Sequence, residues 1–391
     1  MSAAEIRFRP EPLTLRLLGG LAAAGGLVFL AGLLVDPRRA WTGFLVGFNL
    51  IAGLGLSGAL FVALLVVSGG RWATAMRRIP EAMSRCLPWA FALGLVLPFG
   101  AHSLYEWSHP AVVAADPLLR EKAAYLDLPF FTARLVLYFA LWIALARALV
   151  APSVRQDSTG ESLGTPRGLV RAALFVAVFG VTYSLASVDW IQSLEPHWYS
   201  TIFALRTATG LACAGLAAAT VLVVALRVRG PLRGVVTDDH LHDLGKLLFG
   251  FSILWGYIRY CQYMLIWYSN IPEETVHYLA RGASSWRALS YASVALMWGV
   301  PFAVLLFRSA RRSGAVLSRV AIAVLLGWAF DLYGMIGPAI AGEEARPGLF
   351  EVGAVAGAVA LFFLATLRAL SRVPLVPLRD PALGSSPPHA A

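Results

Sequence analysis

Three arginines, Arg134, Arg206 and Arg259, fall inside long apolar runs. A charge at mid-bilayer costs on the order of 2.5–3.5 kcal/mol on insertion scales, so each should face a bundle interior and find a partner. By depth, the acids within reach are Asp331, in the outer half of a later run, and Glu106 and Asp189 at outer ends. Such pairs serve either as structural ties or as walls of a proton path or polar cavity for a redox ligand. His102, Tyr105, Glu106 and His109 close the third apolar run. His102 and Glu106 stand four apart, so on a helix they share a face and touch. Pro98, one turn earlier, kinks that helix and opens a pocket. A His–carboxylate pair at a membrane edge moves protons, because imidazole titrates near ambient pH. The alternative is an interfacial aromatic belt with Tyr105 and Trp107.

Two outer connections are rich in acids and aromatics. Ser187–Ser200 crowds Asp189, Glu195 and His197 among aromatic residues with no basic one, and 267–274 repeats that character. The seventh run places Trp255, Arg259, Gln262 and Tyr263 on one helical stripe. That stripe suits an amphipathic ring ligand such as a quinone, or a packed polar interface; spacing does not separate the two. On the inner side His240, His242, Asp243 and Lys246 precede or begin the same run. Asp243 reads as an N-cap, and acids suit the positive end of a helix dipole. The other reading is a proton-collecting mouth. Metal binding by His240 and His242 lacks a third ligand in the sequence.

These residues need a membrane to give them meaning, and composition supplies it. Of 391 residues 58% are hydrophobic and only 14% charged, too few charges to cover a soluble surface of this size. Apolar runs long enough to cross about 30 Å of hydrocarbon recur, near 13–35, 42–68, 87–107, 129–150, 168–187, 200–227, 245–268, 286–307, 317–340 and 349–370. This predicts an all-α polytopic protein of about ten transmembrane helices in helical bundles. With the N-terminus inside, 22 of the 32 basic residues fall on inner segments, 7 on outer ones and 3 within spans. A missed helix would scramble that alternation, so both termini are expected to be cytoplasmic. The net charge of +10 follows from inner loops beside anionic lipid, which argues against nucleic-acid binding. No small-residue cleavage site follows the first run, so it is expected to stay as an anchor.

Along the chain the expected order is a cytoplasmic arm 1–12, helices one to four in 13–150, a cytoplasmic linker 151–167, helices five to ten in 168–373, and a disordered cytoplasmic tail 374–391. Gly353 with Gly357, and Gly55 with Gly58, suit close helix contact. The histidines 102, 109, 197, 240, 242, 277 and 389 avoid span centres, where a b-type haem would need its axial ligands. Cys86, Cys213 and Cys261 form no CxxC or CxxCH pattern. The expectation is therefore a chain without covalently or motif-bound cofactors and without a metal site, whose redox centres belong to partners.

The runs Ser187–Ser200 (SVDWIQSLEPHWYS) and Asp243–Arg281 (DLGKLLFGFSILWGYIRYCQYMLIWYSNIPEETVHYLAR) resemble the ActF-type membrane subunit of alternative complex III, a bacterial quinol:electron-acceptor oxidoreductase. The resemblance implies an inner-membrane protein related to polysulfide-reductase (NrfD-like) quinol-handling proteins. It further implies a likeness in architecture to the other NrfD-like membrane component of the same complex. The implied partners are that second NrfD-like component, an iron–sulfur/molybdopterin-like protein, c-type cytochromes carrying haem c, and a terminal oxidase as acceptor. A quinone or quinol (menaquinol or ubiquinol) is the implied ligand. Arg259 lies in the matching seventh helix, and Asp189, Glu195 and His197 in the matching loop; the remaining candidates come from the residues alone. Besides quinol oxidation with proton conduction, two readings stay open. One is a scaffold that only docks peripheral redox subunits. The other is a secondary transporter, which ten helices and buried charges would suit but which the missing internal repeat opposes.

Overall fold

Backbone N–H and C=O groups in hydrocarbon must be satisfied within the segment, and the chain meets this with helices. A computed structural model describes residues 7–160, 164–228, 230, 232–282, 284–341, 347–377, 379–380 and 383. Arg229, Arg346 and His389 lie outside them. Among the described residues the only non-helical pairing is one antiparallel bridge between Arg7 and Pro374.

Eight helices among the described residues are long and apolar enough to cross a membrane, or nine if one bent pair counts as a span. They are α1 (Pro12–Val35), α2 (Pro37–Ser68), the bent pair α3 (Arg78–Gly94) and α4 (Leu97–Leu104), α5 (Leu128–Thr159), α6 (Pro166–Trp190) and α7 (Phe203–Val228). After α8 (Asp238–Ser269) and the short α9 (Pro272–Gly282) come α10 (Ser285–Leu305), α11 (Gly314–Ala341) and α12 (Leu349–Leu370). The 32-residue α8 is about 48 Å long at 1.5 Å per residue, yet it is not among the apolar set. Prolines open α1, α2, α5 and α6, where their missing N–H costs nothing. Asp36, Asp127 and Thr165 cap α2, α5 and α6. Asn270, at φ 48°, ends α8 in the left-handed conformation.

Helix α2 forms the centre and α7 lies beside it, 78% and 72% of their apolar windows being buried against 17% for α1. Small residues set the approach of α1 to α12: a Cβ at Gly25 would stand 2.6 Å from the Gly357 Cα. A Cβ at Gly58 would stand 2.5 Å from the Pro80 carbonyl oxygen, and one at Gly55 2.7 Å from Cys86 Sγ. Both expected small-residue pairs therefore lie at close helix contacts. Arg39 at the head of α2 grips Glu351 at the head of α12 through two hydrogen bonds of 2.7 and 2.9 Å.

Four expectations need correction. The third run is broken: α3 and α4 meet at 42°, α4 stops at Leu104 and Tyr105 is extended. His102 and Glu106 therefore do not share a helical face; both are exposed, and His102 Nδ1 lies 2.9 Å from Ser108 Oγ. The expected flexible linker is helical as far as Thr159, running through Pro152, because Ser153 and Gln156 are drawn into a buried polar cluster. Within the tail expected to be disordered, Leu375 and Val376 are buried and Asp380 accepts a hydrogen bond from Arg77 at 2.9 Å. Finally, Thr237 rather than Asp243 caps α8, with His240 Nδ1 accepting from the Thr237 backbone N–H at 3.1 Å.

The α1–α12 contact leaves no room for a side chain. Gly25→Leu should lower stability by about 1–3 kcal/mol through overpacking, whereas Gly26→Leu, with open space at its Cβ, should be neutral. Thermal unfolding in mild detergent separates the two.

Candidate functional site

Arg134 of α5 reaches the end of α6, where its Nε and Nη2 donate to the two Asp189 oxygens, each at 2.9 Å. Its Nη1 donates to the Tyr125 carbonyl, the Tyr138 hydroxyl donates to Asp189, and Tyr125 and Phe130 cover the guanidinium. Both carboxylate oxygens have donors, and neither residue borders the large cavity described next. This pair is a tie between two helices.

Arg206 and Arg259 meet differently. Arg206 of α7 donates through Nη2 to Asp331 Oδ1 at 2.9 Å, and Arg259 of α8 donates through Nη1 to the same oxygen. Arg206 Nη1 also donates to Gln262 Oε1 at 3.1 Å, and Gln262 in turn donates to Ser200 Oγ at 3.1 Å. One carboxylate on α11 thus holds two guanidiniums and joins three helices. Arg206 and Asp331 are buried, while the Arg259 side chain keeps 18% exposure.

That exposure is toward a half-enclosed cavity of about 960 Å³ between α8, α9, α10 and α11. Arg259 and Asp331 lie on its wall with Tyr260, Tyr263, Tyr278 and Trp298. Trp298 belongs to a π-helical turn, Ala295–Gly299, and presses so close to Gly256 that a Cβ there would be 2.6 Å away. A π-turn widens a helix locally, and here it sets a ring into the cavity wall. The Trp255 ring lies 5.3 Å from the Arg259 guanidinium carbon, so the stripe read along α8 does gather around Arg259.

On the same cavity wall, Arg281 of α9 donates to both Glu195 oxygens at 3.0 Å and to the Gly334 and Met335 carbonyls of α11. His277, one turn earlier, lies 2.6 Å from Glu195 through Nδ1 and is stacked under Trp198 at 3.8 Å. Burial and the Arg281 charge push the His277 imidazole down to about 3. Glu195 is held at about 2: burial opposes its charge, but the His277 hydrogen bond and Arg281 outweigh that. His277 is thus neutral and donates its Nδ1 proton.

The three loop candidates separate. Asp189 ties α5 to α6, and Glu195 joins the Arg281 cluster. The half-exposed His197 pairs with Asp116 at 2.5 Å on the surface, where it helps hold the Asp116 carboxyl below its ordinary range. On the opposite, basic end His240 completes the capping box of Thr237, and Asp243 pairs with Lys246 at 2.7 Å. His242, ahead of the apolar part of α8, keeps a buried Nδ1 without a partner, its imidazolium disfavoured by burial and by Arg311 and Lys246. No group of three or more His, Cys, Asp or Glu among the described residues could hold a metal ion.

Sequence reasoning missed two features. His277, Tyr278 and Arg281 lie on an amphipathic turn whose i,i+4 His–Arg spacing was the available signal. The other is a buried cluster at the basic end, where Glu81 accepts from Arg77 and Arg78, and Arg78 also reaches Asp157 at 2.7 Å. Both arginines read as loop charges, although Glu81 stands three and four residues away. No family model matches the chain, and no curated protein matches it by sequence.

Unfolding raises both depressed groups toward their ordinary values, 6.5 for His277 and 4.5 for Glu195. The unfolded chain binds more protons in those windows, so stability falls as pH drops. Between pH 7 and 5 only the histidine window is open. The thermal midpoint should drop over that interval, and His277→Gln should flatten the drop to the remainder due to His242; an unchanged slope would contradict the buried neutral imidazole.

Proposed function

We propose that this chain is the membrane subunit of a bacterial respiratory quinol:electron-acceptor oxidoreductase of the alternative complex III type, and that its cavity receives the quinone ring. The observation that carries the reading is the wall of that cavity: a partly exposed guanidinium, Arg259, set among tyrosine and tryptophan rings. A quinone head offers carbonyl oxygens for a cationic donor and a flat face for aromatic contact. In this reading α8 also crosses the bilayer, giving ten spans with both termini on the cytoplasmic side, as the 22-to-7 distribution of basic residues supports.

The chain's own residues hold and orient the ring. Arg259 donates to one carbonyl, while Asp331 fixes the guanidinium from behind and Arg206 fixes Asp331. Quinol oxidation releases two electrons and two protons. Haem c and iron–sulfur centres in partner proteins would accept the electrons, and the polar Glu195–His277–Arg281 cluster, of which Arg281 lines the cavity wall, would border the route by which the protons leave. Arg134, Asp189, His102, Glu106 and His197 take no part in this scheme.

Arg206 continues to neutralise Asp331 when Arg259 is replaced, so Arg259→Gln should fold. It should weaken binding of a short-chain quinone, followed by quenching of tryptophan fluorescence, roughly tenfold or more, the value of a hydrogen bond to a charged group. Membranes solubilised in mild detergent should yield the chain together with c-type haem. Unchanged quinone affinity and turnover in Arg259→Gln, with haem partners still present, would make the chain a docking scaffold instead.

A further inference from the structure

At the basic end the arginines divide into two kinds. Arg77 and Arg78 are buried and engaged with Glu81, Gln156, Asp157 and Asp380. Arg85 and Arg147 are exposed, and the guanidinium of neither has a hydrogen bond or ion pair to another described residue. Yet they share a place: both line a small groove of about 50 Å³ between α3 and the latter half of α5, with Ser84 at its edge.

The groove is built for an anion that carries hydrocarbon. Its floor is Leu87, Pro88, Ile143 and Ala146, and no carboxylate lines it. The acids of that region, Glu81 and Asp157, are taken up by Arg77 and Arg78, so they do not neutralise the outer pair. Trp89, half-exposed on the next residues of α3, marks the level at which aromatic side chains meet lipid headgroups. Two guanidiniums on neighbouring helices, above an apolar floor and at the end of apolar segments, match a basic interhelical headgroup pocket. We propose that this groove binds the phosphate of an anionic phospholipid, with Arg85 and Arg147 on the phosphate oxygens and the glycerol and acyl chains over Leu87, Pro88 and Ile143. The site stands at the opposite end of the molecule from the quinone cavity and does not depend on it.

The test uses the full chain, delipidated in mild detergent and titrated with phosphatidylglycerol or with phosphatidylcholine of the same acyl chains, bound lipid being counted by native mass spectrometry. Phosphatidylglycerol should bind preferentially. Each Arg→Gln change should weaken it roughly fivefold and the double change R85Q/R147Q roughly 25-fold, from about 1 kcal/mol per basic residue near an anionic surface. Arg120→Gln, in the short helix Pro117–Lys122 that follows α4 at the other end, should change nothing. If the double variant does not remain monodisperse, Arg147→Gln alone still carries the fivefold expectation and Arg147→Lys should restore most of the binding. Equal retention in the variants, equal binding of phosphatidylcholine, or displacement of the lipid by millimolar inorganic phosphate alone would each overturn the proposal.

Discussion

A buried charge in a low-dielectric bundle must be matched, and Asp331 is where this chain meets that demand under the tightest terms. One carboxylate serves Arg206 and Arg259, so α7, α8 and α11 converge on a single side chain. The charges are unequal: two positive and one negative leave a surplus within the trio. That surplus lies on Arg259, the member that keeps exposure toward the cavity. Removing one partner of such a group is far more costly than forming it is favourable, which fixes the geometry of the three helices together.

Contrast with Arg134 and Asp189 clarifies what makes a site. There the charges balance one to one, each oxygen has a donor, and aromatic rings close over the guanidinium. Both constellations satisfy the same electrostatic requirement with the same residue types. Only one leaves donor capacity directed at open space.

Much of this was legible in the chain. Arginines within apolar runs had to be paired, and all three are; of the stripe Trp255, Arg259, Gln262 and Tyr263, all but Gln262 border one cavity. Which acid each arginine chose was not legible, because partners 55 to 125 residues apart are matched by the packing of helices rather than by spacing. The His102–Glu106 expectation failed at a backbone level: an i,i+4 argument requires a continuing helix, and the chain turns extended at Tyr105. The linker as far as Thr159 and the described start of the tail depart from expectation for a related reason. Their Ser, Gly and Pro content reads as loop, but Ser153, Gln156 and Asp380 are the partners that Arg77 and Arg78 need, and that need outweighs composition.

The first helix packs against the last, Gly25 against Gly357, and the N-terminal arm bridges to Pro374 just beyond it. Synthesis proceeds from one end, so α1 must wait for α12 before its glycine face is covered. Closure of that contact therefore follows the synthesis of every helix between them, and a nascent chain halted before α12 carries an open seam along α1 and α2.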